Sequence, residues 1–305
     1  MKNILLTGAT GYIGSNIARR LVLDGHNVHI IVRPSSKLEL LSDIKHHLNI
    51  HIIEGKISNL VEVFQTAKPE AVFHLAALFI AEHKAEDVDR LIESNILFGT
   101  QLLEACKTAG VKYFINTGTH WQNYNGDTYN PANLYAATKQ AFECISKYYM
   151  ETSQMRMVTL KLVDTYGPFD PRPKVMSLFK RIAKSGEALD MSPGEQEMGF
   201  LYIDDVVKGF MLALEYVQKM KPHEQQSFVL APNEFCSLKE AAKIFQQVSG
   251  CSLNINWGKR GYRNREVMKI MFKETNLLKD TQTVTLAEGI KKMLDIEASN
   301  NDVRD

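Results

Sequence analysis

The sequence holds only four cysteines, Cys106, Cys144, Cys236 and Cys251, and no two form a CxxC pair. That scarcity argues against a disulfide framework and a thiolate zinc site, and it suits a reducing compartment such as the cytoplasm. The nine histidines include no HExxH motif, so no metal is expected. Charge of either sign is not in excess: 36 Lys plus Arg stand against 35 Asp plus Glu, a formal +1, which argues against a nucleic-acid binder. No stretch approaches the ~18 apolar residues of a membrane span. The N-terminal run MKNILLTGATGYIGS passes straight into glycines with no small-residue cleavage site, and reads as structure rather than a signal peptide. Internal repeats and low-complexity tracts are absent.

What is present is enough apolar residue to build a core: 45% of 305 residues, one large domain or two ordinary ones. Short β-branched runs at 2–7, 28–32, 49–55, 71–76 and 112–118 alternate with helical spacing at 15–25 and 91–109. Such alternation predicts an α/β fold, a Rossmann-type doubly wound parallel sheet with crossover helices. A further helix is expected over 133–153 and a sixth strand at 156–167. A Pro-rich loop, GPFDPRPK, then changes the pattern, and a helix over 286–294 precedes a frayed tail. The expected division is a dinucleotide-binding domain, 1–165 plus about 199–232, and a smaller C-terminal substrate-binding lobe, 166–198 plus about 233–305.

The first strand runs into Gly8, Gly11, Tyr12, Ile13 and Gly14, with a helix following. Glycines three apart allow a tight turn, backbone approach to a pyrophosphate and close helix packing, while the helix N-terminus offers free N–H groups. The second strand ends in Val32-Arg33-Pro34-Ser35-Ser36-Lys37 without the acid that would bond the ribose of NAD. Arg33 with Ser36 or Lys37 can meet a 2′-phosphate, which favours NADP and leaves NAD possible; the alternative is a solvated basic loop. Tyr135 and Lys139, four apart, share one helix face. A nearby ammonium favours the phenolate and is expected to bring the tyrosine below its usual value near ~10, while Lys139 holds the nicotinamide ribose.

Taken together, the glycine loop and the Tyr–Lys pair resemble the extended short-chain dehydrogenases/reductases, and the resemblance covers most of the chain. His74-Leu75-Ala76-Ala77 looks like that family's cofactor turn, which implies Leu75, Ala76 and Ala77 as contacts. Asn95 matches its helix asparagine, implying a further cofactor contact. The run 114–119 matches the strand that delivers the catalytic hydroxyl, implying Thr119 as that residue and Thr117 beside the cofactor. Asp164-Thr165-Tyr166-Gly167-Pro168 and Phe200–Asp205 look like two later family segments. The implied chemistry is hydride exchange with a substrate carbon whose oxygen is bonded by Thr119 and Tyr135, Tyr135 exchanging the proton. Asp204 and Asp205 read instead as helix N-caps.

Extended members act on nucleotide sugars as epimerases, 4,6-dehydratases or ketoreductases. The dehydratases resemble one another in an Asp-Glu after the threonine; His120 and Trp121 stand there, which argues against that elimination. His120 is read as a polar wall of the pocket. Segments 116–122, 133–143 and 164–168 resemble those of CDP-abequose and CDP-paratose synthases, which reduce the 4-keto group of CDP-3,6-dideoxyhexoses. The resemblance implies Asp164, Gln196, Arg263 and Glu266 as substrate contacts, with Arg172 and Lys174 as additional phosphate candidates. Departures are Lys56 where an Asp usually meets the adenine, Asp164 for an Asn, and Met198 for an Arg. The expectation is thus an NADPH-dependent nucleotide-sugar 4-ketoreductase, a homodimer by family analogy. A 4-epimerase with retained NAD and a non-catalytic dinucleotide sensor are the alternatives.

Overall fold

A computed structural model describes residues 2–54 and 57–301, with the side chains of residues 57 and 301 left aside. In chain order the first elements are β1 (Asn3–Thr7), α1 (Tyr12–Leu23), β2 (Asn27–Val32), β3 (Leu48–Ile52), α2 (Ile57–Ala67), β4 (Ala71–His74) and α3 (Val88–Ile92). A π-turn at Glu93–Leu97 joins α3 to α4 (Phe98–Ala109). There follow β5 (Tyr113–Thr119), α5 (Leu134–Glu151), β6 (Arg156–Leu162), β7 (Asp164–Tyr166), α6 (Val175–Ser185), β8 (Leu189–Met191), β9 (Glu197–Met198) and β10 (Phe200–Tyr202). The chain closes with α7 (Ile203–Lys219), β11 (Gln225–Leu230), β12 (Cys236–Ser237), α8 (Leu238–Ser249), β13 (Ile255–Trp257) and α9 (Leu286–Asn301).

Seven strands form one parallel sheet in the order β11-β6-β5-β4-β1-β2-β3. A strand buried on both faces needs apolar side chains at successive positions, and β1 supplies them. Ile4 and Leu6 enter the layer with Ile17 and Leu21 of α1 and Phe210 of α7. Leu5, pointing the other way, joins Phe64 of α2, Leu102 and Leu103 of α4, and Phe142 of α5. All of these except Phe64 are fully buried, and each such side chain contributes about 1.5–3 kcal/mol. The order reverses between β1 and β4, so their carboxyl ends open the crevice where such sheets bind ligands.

Several boundaries differ from the sequence reading. The expected sixth strand is cut at Val163: β6 stays in the main sheet, while β7 pairs in parallel with β10. Helix α2 was not anticipated. Helix α9 extends through Asn301, past the expected fraying point. The later elements add two small sheets, β13 with β8 and β12 with β9. All four cysteines are free, and no described helix is long and apolar enough to cross a membrane.

Candidate active site

The crevice is built first by glycines. Gly8 has φ +74°, and a Cβ there would sit 2.6 Å from the Ala76 nitrogen. At Gly14 a Cβ would stand 2.1 Å from the Gly8 carbonyl oxygen, so only hydrogen lets α1 close on β1. Gly11 is the N-cap of α1 and gives no side-chain cap, leaving the first-turn N–H groups facing the crevice end of the sheet without a side-chain acceptor. The Tyr12 hydroxyl is buried with no partner among the described residues, as is the Thr117 hydroxyl of β5. A cradle that no Cβ can enter, an uncapped helix and the orphaned Thr117 hydroxyl fit an anionic dinucleotide.

At the end of β2, residues 33–36 make a tight turn: the Ser36 N–H donates to the Arg33 carbonyl at 2.9 Å, and the Arg33 N–H donates to Ser36 Oγ at 3.0 Å. Arg33 is exposed, and no carboxylate stands in this turn. Leu75, Ala76 and Ala77 follow β4 directly, held against the glycine loop by Thr7. The Leu75 N–H donates to the Thr7 carbonyl, and Ala76 N–H to Thr7 Oγ1 at 3.3 Å. His74 Nδ1 shares a 2.8 Å hydrogen bond with the same hydroxyl; burial brings the imidazole down to about 3, so it stays neutral.

Asn95, expected beside the cofactor, spends its amide within the protein. It is buried in the π-turn, where its amide donates to the Leu78 carbonyl and to Thr138 Oγ1, both at 3.0 Å, while its oxygen accepts from Leu78 N–H at 2.7 Å. Both amide hydrogens are thereby used inside the protein. The residue ties the loop after β4 to α5.

Asn133 caps α5 by accepting from the Ala136 N–H at 2.9 Å, which starts the helix at Leu134 and places Tyr135 in its first turn. Tyr135 and Lys139 are 9% and 2% exposed. Lys139 does not lower its neighbour as the sequence reading expected: burial dominates and pushes the Tyr135 hydroxyl up to about 12. Burial also brings the Lys139 ammonium down to about 8, opposed by the Glu143 carboxylate one turn on. Thr119 ends β5, and its Oγ1 accepts from the Trp121 N–H at 3.3 Å, capping a short 3-10 turn. The hydroxyl proton is left for another acceptor.

Beyond Tyr135 lie Asp164 and Lys174, both expected near the substrate, together with Phe79, which the sequence reading did not place there. Phe79 meets the Tyr135 ring edge-on at 5.0 Å and the Trp121 ring at 5.8 Å. The Lys174 ammonium lies 4.2 Å from the Phe79 ring centre and 3.6 Å from Asp164. Nothing in the sequence marked Phe79. His120 is buried and donates from Nδ1 to the Leu162 carbonyl at 3.1 Å; burial lowers its pKa, leaving Nε2 as an acceptor. Farther out, Gln196, Arg263 and Glu266 line one cavity of about 440 Å³ with Arg260 and Tyr262. Arg263 is only loosely paired, 3.9 Å from Glu266 and 4.0 Å from Glu82, and stands 5.4 Å from the Trp121 ring centre. A larger cavity near Glu70 and Lys112 adjoins the opposite ends of the strands and is remote from these groups.

The NAD dependent epimerase/dehydratase family model matches residues 4–230, the stretch that carries every group from the glycine loop to Tyr135 and β11. The chain belongs to that family. It is 25% identical over 299 residues to a CDP-abequose synthase of Salmonella muenchen, covering 97% of this chain and 98% of the other. A CDP-abequose synthase of Yersinia pseudotuberculosis is 28% identical over 292 residues, 95% and 99% of the two chains. The solved UDP-glucose 4-epimerase of Thermotoga maritima superimposes with a TM-score of 0.84 at 23% identity, covering 98% of this chain and 99% of that one; it shares the fold.

Gly8, Gly11 and Gly14 stand together at the crevice, while the Tyr12 hydroxyl lies against Gly167. Ile13 flanks them in the first turn of α1. Two other expectations are corrected. Arg172 is not free for a phosphate: it pairs with Asp170 at 2.7 and 2.8 Å, donates to Thr165, and lies over the Tyr12 ring at 4.9 Å. Neither Asp204 nor Asp205 caps α7, whose N-cap is Tyr202; Asp205 accepts from the Val284 N–H at 2.8 Å instead. Lys56 lies outside the described residues.

Proposed function

We propose that this protein reduces the 4-keto group of a nucleotide-linked deoxyhexose, a CDP-sugar in first place, with NADPH as reductant. The observation that carries the reading is the geometry of three buried groups at the sheet's carboxyl end: Tyr135 and Lys139 on one face of α5, and Thr119 at the end of β5 with its hydroxyl proton uncommitted. The substrate class rests on the full-length similarity to two CDP-abequose synthases. NADPH rests on the exposed Arg33 turn, which offers a guanidinium and no carboxylate.

When bound, the reduced nicotinamide supplies the hydride. The chain's own residues do the rest. Thr119 donates its free hydroxyl proton to the substrate oxygen and polarises the carbonyl. Tyr135 bonds the same oxygen and transfers its proton as negative charge develops there. Lys139, charged below about pH 8, stabilises the phenolate that Tyr135 becomes and orients the ribose. Phe79 and Trp121 form an aromatic wall beside that pair, and Arg263 meets the diphosphate. Exposed apolar side chains along α3 to α5, including Ile92, Leu97 and Tyr148, support a homodimer through that face. The free cysteines suit the cytoplasm.

The test is oxidation of NADPH and of NADH by the pure protein, followed by nicotinamide absorbance, over CDP-, dTDP-, UDP- and GDP-linked 4-keto-6-deoxy and 4-keto-3,6-dideoxy sugars. Turnover with NADPH and a CDP-sugar is expected. Tyr135→Phe is expected to lower kcat by about 10²- to 10⁴-fold with cofactor binding retained. Protein that carries bound NAD and oxidises neither cofactor would be an epimerase instead.

A further inference from the structure

Behind Thr119 and Lys139 lies a buried polar cluster that the proposed chemistry does not use. Gln122 is fully buried; its side-chain oxygen accepts from the Thr119 N–H at 2.9 Å, and its amide donates to Glu143 Oε2 at 2.8 Å and to Gln140 at 3.2 Å. Ser227 of β11 donates to the other Glu143 oxygen. Lys161 of β6, 4% exposed, stands 3.9 Å from Glu143, donates to Asn123 at 2.9 Å, and is ion-paired with Glu274. Glu143 follows Tyr135 and Lys139 at successive four-residue steps, on one face of α5.

We infer that Glu143 is a positioning residue: a pinned counter-charge that keeps Lys139 protonated without taking any of its N–H donors. Gln122, Ser227 and Lys161 occupy both Glu143 oxygens, and no ion pair within 4.0 Å joins Glu143 to Lys139 among the described residues. A carboxylate free to swing would bond the ammonium directly and pull it from Tyr135 and the ribose. Held one helical turn away, it acts through its field alone. That field opposes the burial that would discharge the lysine. Because Gln122 joins the same carboxylate to the Thr119 backbone, one group sets both the charge of the lysine and the seat of the threonine.

The other groups around Lys139 do not duplicate this. His74 on β4 is neutral. Asn95 and Thr138 carry no charge and bond each other. From α3 and the π-turn, Asp89, Arg90 and Glu93 are exposed to solvent, where screening weakens them. Glu104 of α4 is turned to Tyr149. Glu274 is neutralised by Lys161. Among the described residues, the partly buried Glu143 is thus the anion on the lysine's own face.

The experiment titrates Lys139 directly, by the pH dependence of its side-chain carbon signal in protein labelled at the lysine ε-carbon, assigned with Lys139→Arg. Glu143→Gln, which keeps the shape and the amide contacts, is expected to move the midpoint down by about one pH unit. Glu143→Asp is expected to restore most of it. If Glu143→Gln does not fold because Lys161 has lost a partner, Glu143→Gln with Lys161→Met and Glu274→Gln removes the carboxylate together with the neutralised pair behind it and carries the same expectation. The alkaline limb of kcat should follow the midpoint. A midpoint unmoved in a folded variant overturns the inference, as does a loss of activity uniform across pH, which marks a merely structural role. The kcat arm rests on the proposed reductase reading, whereas the lysine titration needs no substrate, so failure of one is told from failure of the other.

Discussion

Lys139 shows what a single buried charge costs and what it allows. Its usual value near 10.5 is brought down to about 8 in the folded chain, because desolvation disfavours the ammonium more than Glu143 favours it. A lysine lowered on folding binds fewer protons folded than unfolded between those two values. Stability contributed at this site therefore rises as pH climbs from about 8 to 10.5, and below 8 the full penalty is present. Lys139→Met, which removes the charge and keeps the stem, is expected to raise Tm. The gain over the natural chain should be largest below pH 8 and shrink as pH approaches 10.5. Thermal unfolding of both proteins across that range checks it; a gain that grows with pH would mean that Lys139 is stabilised, not penalised, by its site. Cofactor turnover should collapse in the same variant, so stability and function part company at one residue.

Elements were legible where the signal is local. The glycine spacing, the apolar runs and the Asn133 start of α5 lie within a few residues of one another, and the sheet with its crevice followed from them. Contacts made across the fold were not legible. Asn95 was assigned to the cofactor because nothing in its neighbours shows that Leu78 and Thr138 would use its amide hydrogens. Arg172 was offered to a phosphate although Asp170, two residues away, takes it once the loop folds back on Thr165. Tyr135 was expected below its usual value because helix spacing shows the lysine and hides the burial. The glycine loop itself can be tested as an element. Gly14→Ala drives a methyl into the Gly8 carbonyl, so α1 must shift off β1, and we expect loss of dinucleotide binding together with more than about 2 kcal/mol of stability. Gly25→Ala, at φ +76° in open space, should cost only about 1–2 kcal/mol and leave binding intact. Calorimetry with NADPH on both variants separates a steric cradle from generic backbone strain: equal losses of binding would remove the cradle argument.

At the scale of the whole molecule, Arg263 and Glu266, the proposed substrate contacts, sit on a segment with little regular structure, so its fastenings decide their positions. The segment is pinned to β9 by the Glu197 N–H donating to the Met268 carbonyl at 3.0 Å, and to β11 by bonds from Val229 and to Val229 at 3.1 and 3.0 Å. Lys161 holds Glu274, and at the far end Asp205 in the first turn of α7 accepts from the Val284 N–H. Asp205 is 6% exposed, so removing its carboxylate leaves that N–H without its acceptor, a loss of about 1–3 kcal/mol. Asp205 touches none of the groups proposed to move a proton. Asp205→Ala is therefore expected to loosen the segment locally: limited proteolysis should cut between residues 259 and 285 several-fold faster, and a nucleotide diphosphate that engages Arg263 should slow the cut. KM for the nucleotide sugar should rise about tenfold with kcat nearly unchanged, since binding is lost and chemistry is not. A fall in kcat at constant KM would place Asp205 in the chemistry rather than in the fastening, and an unchanged cleavage rate would mean that the β9 and β11 contacts hold the segment without it.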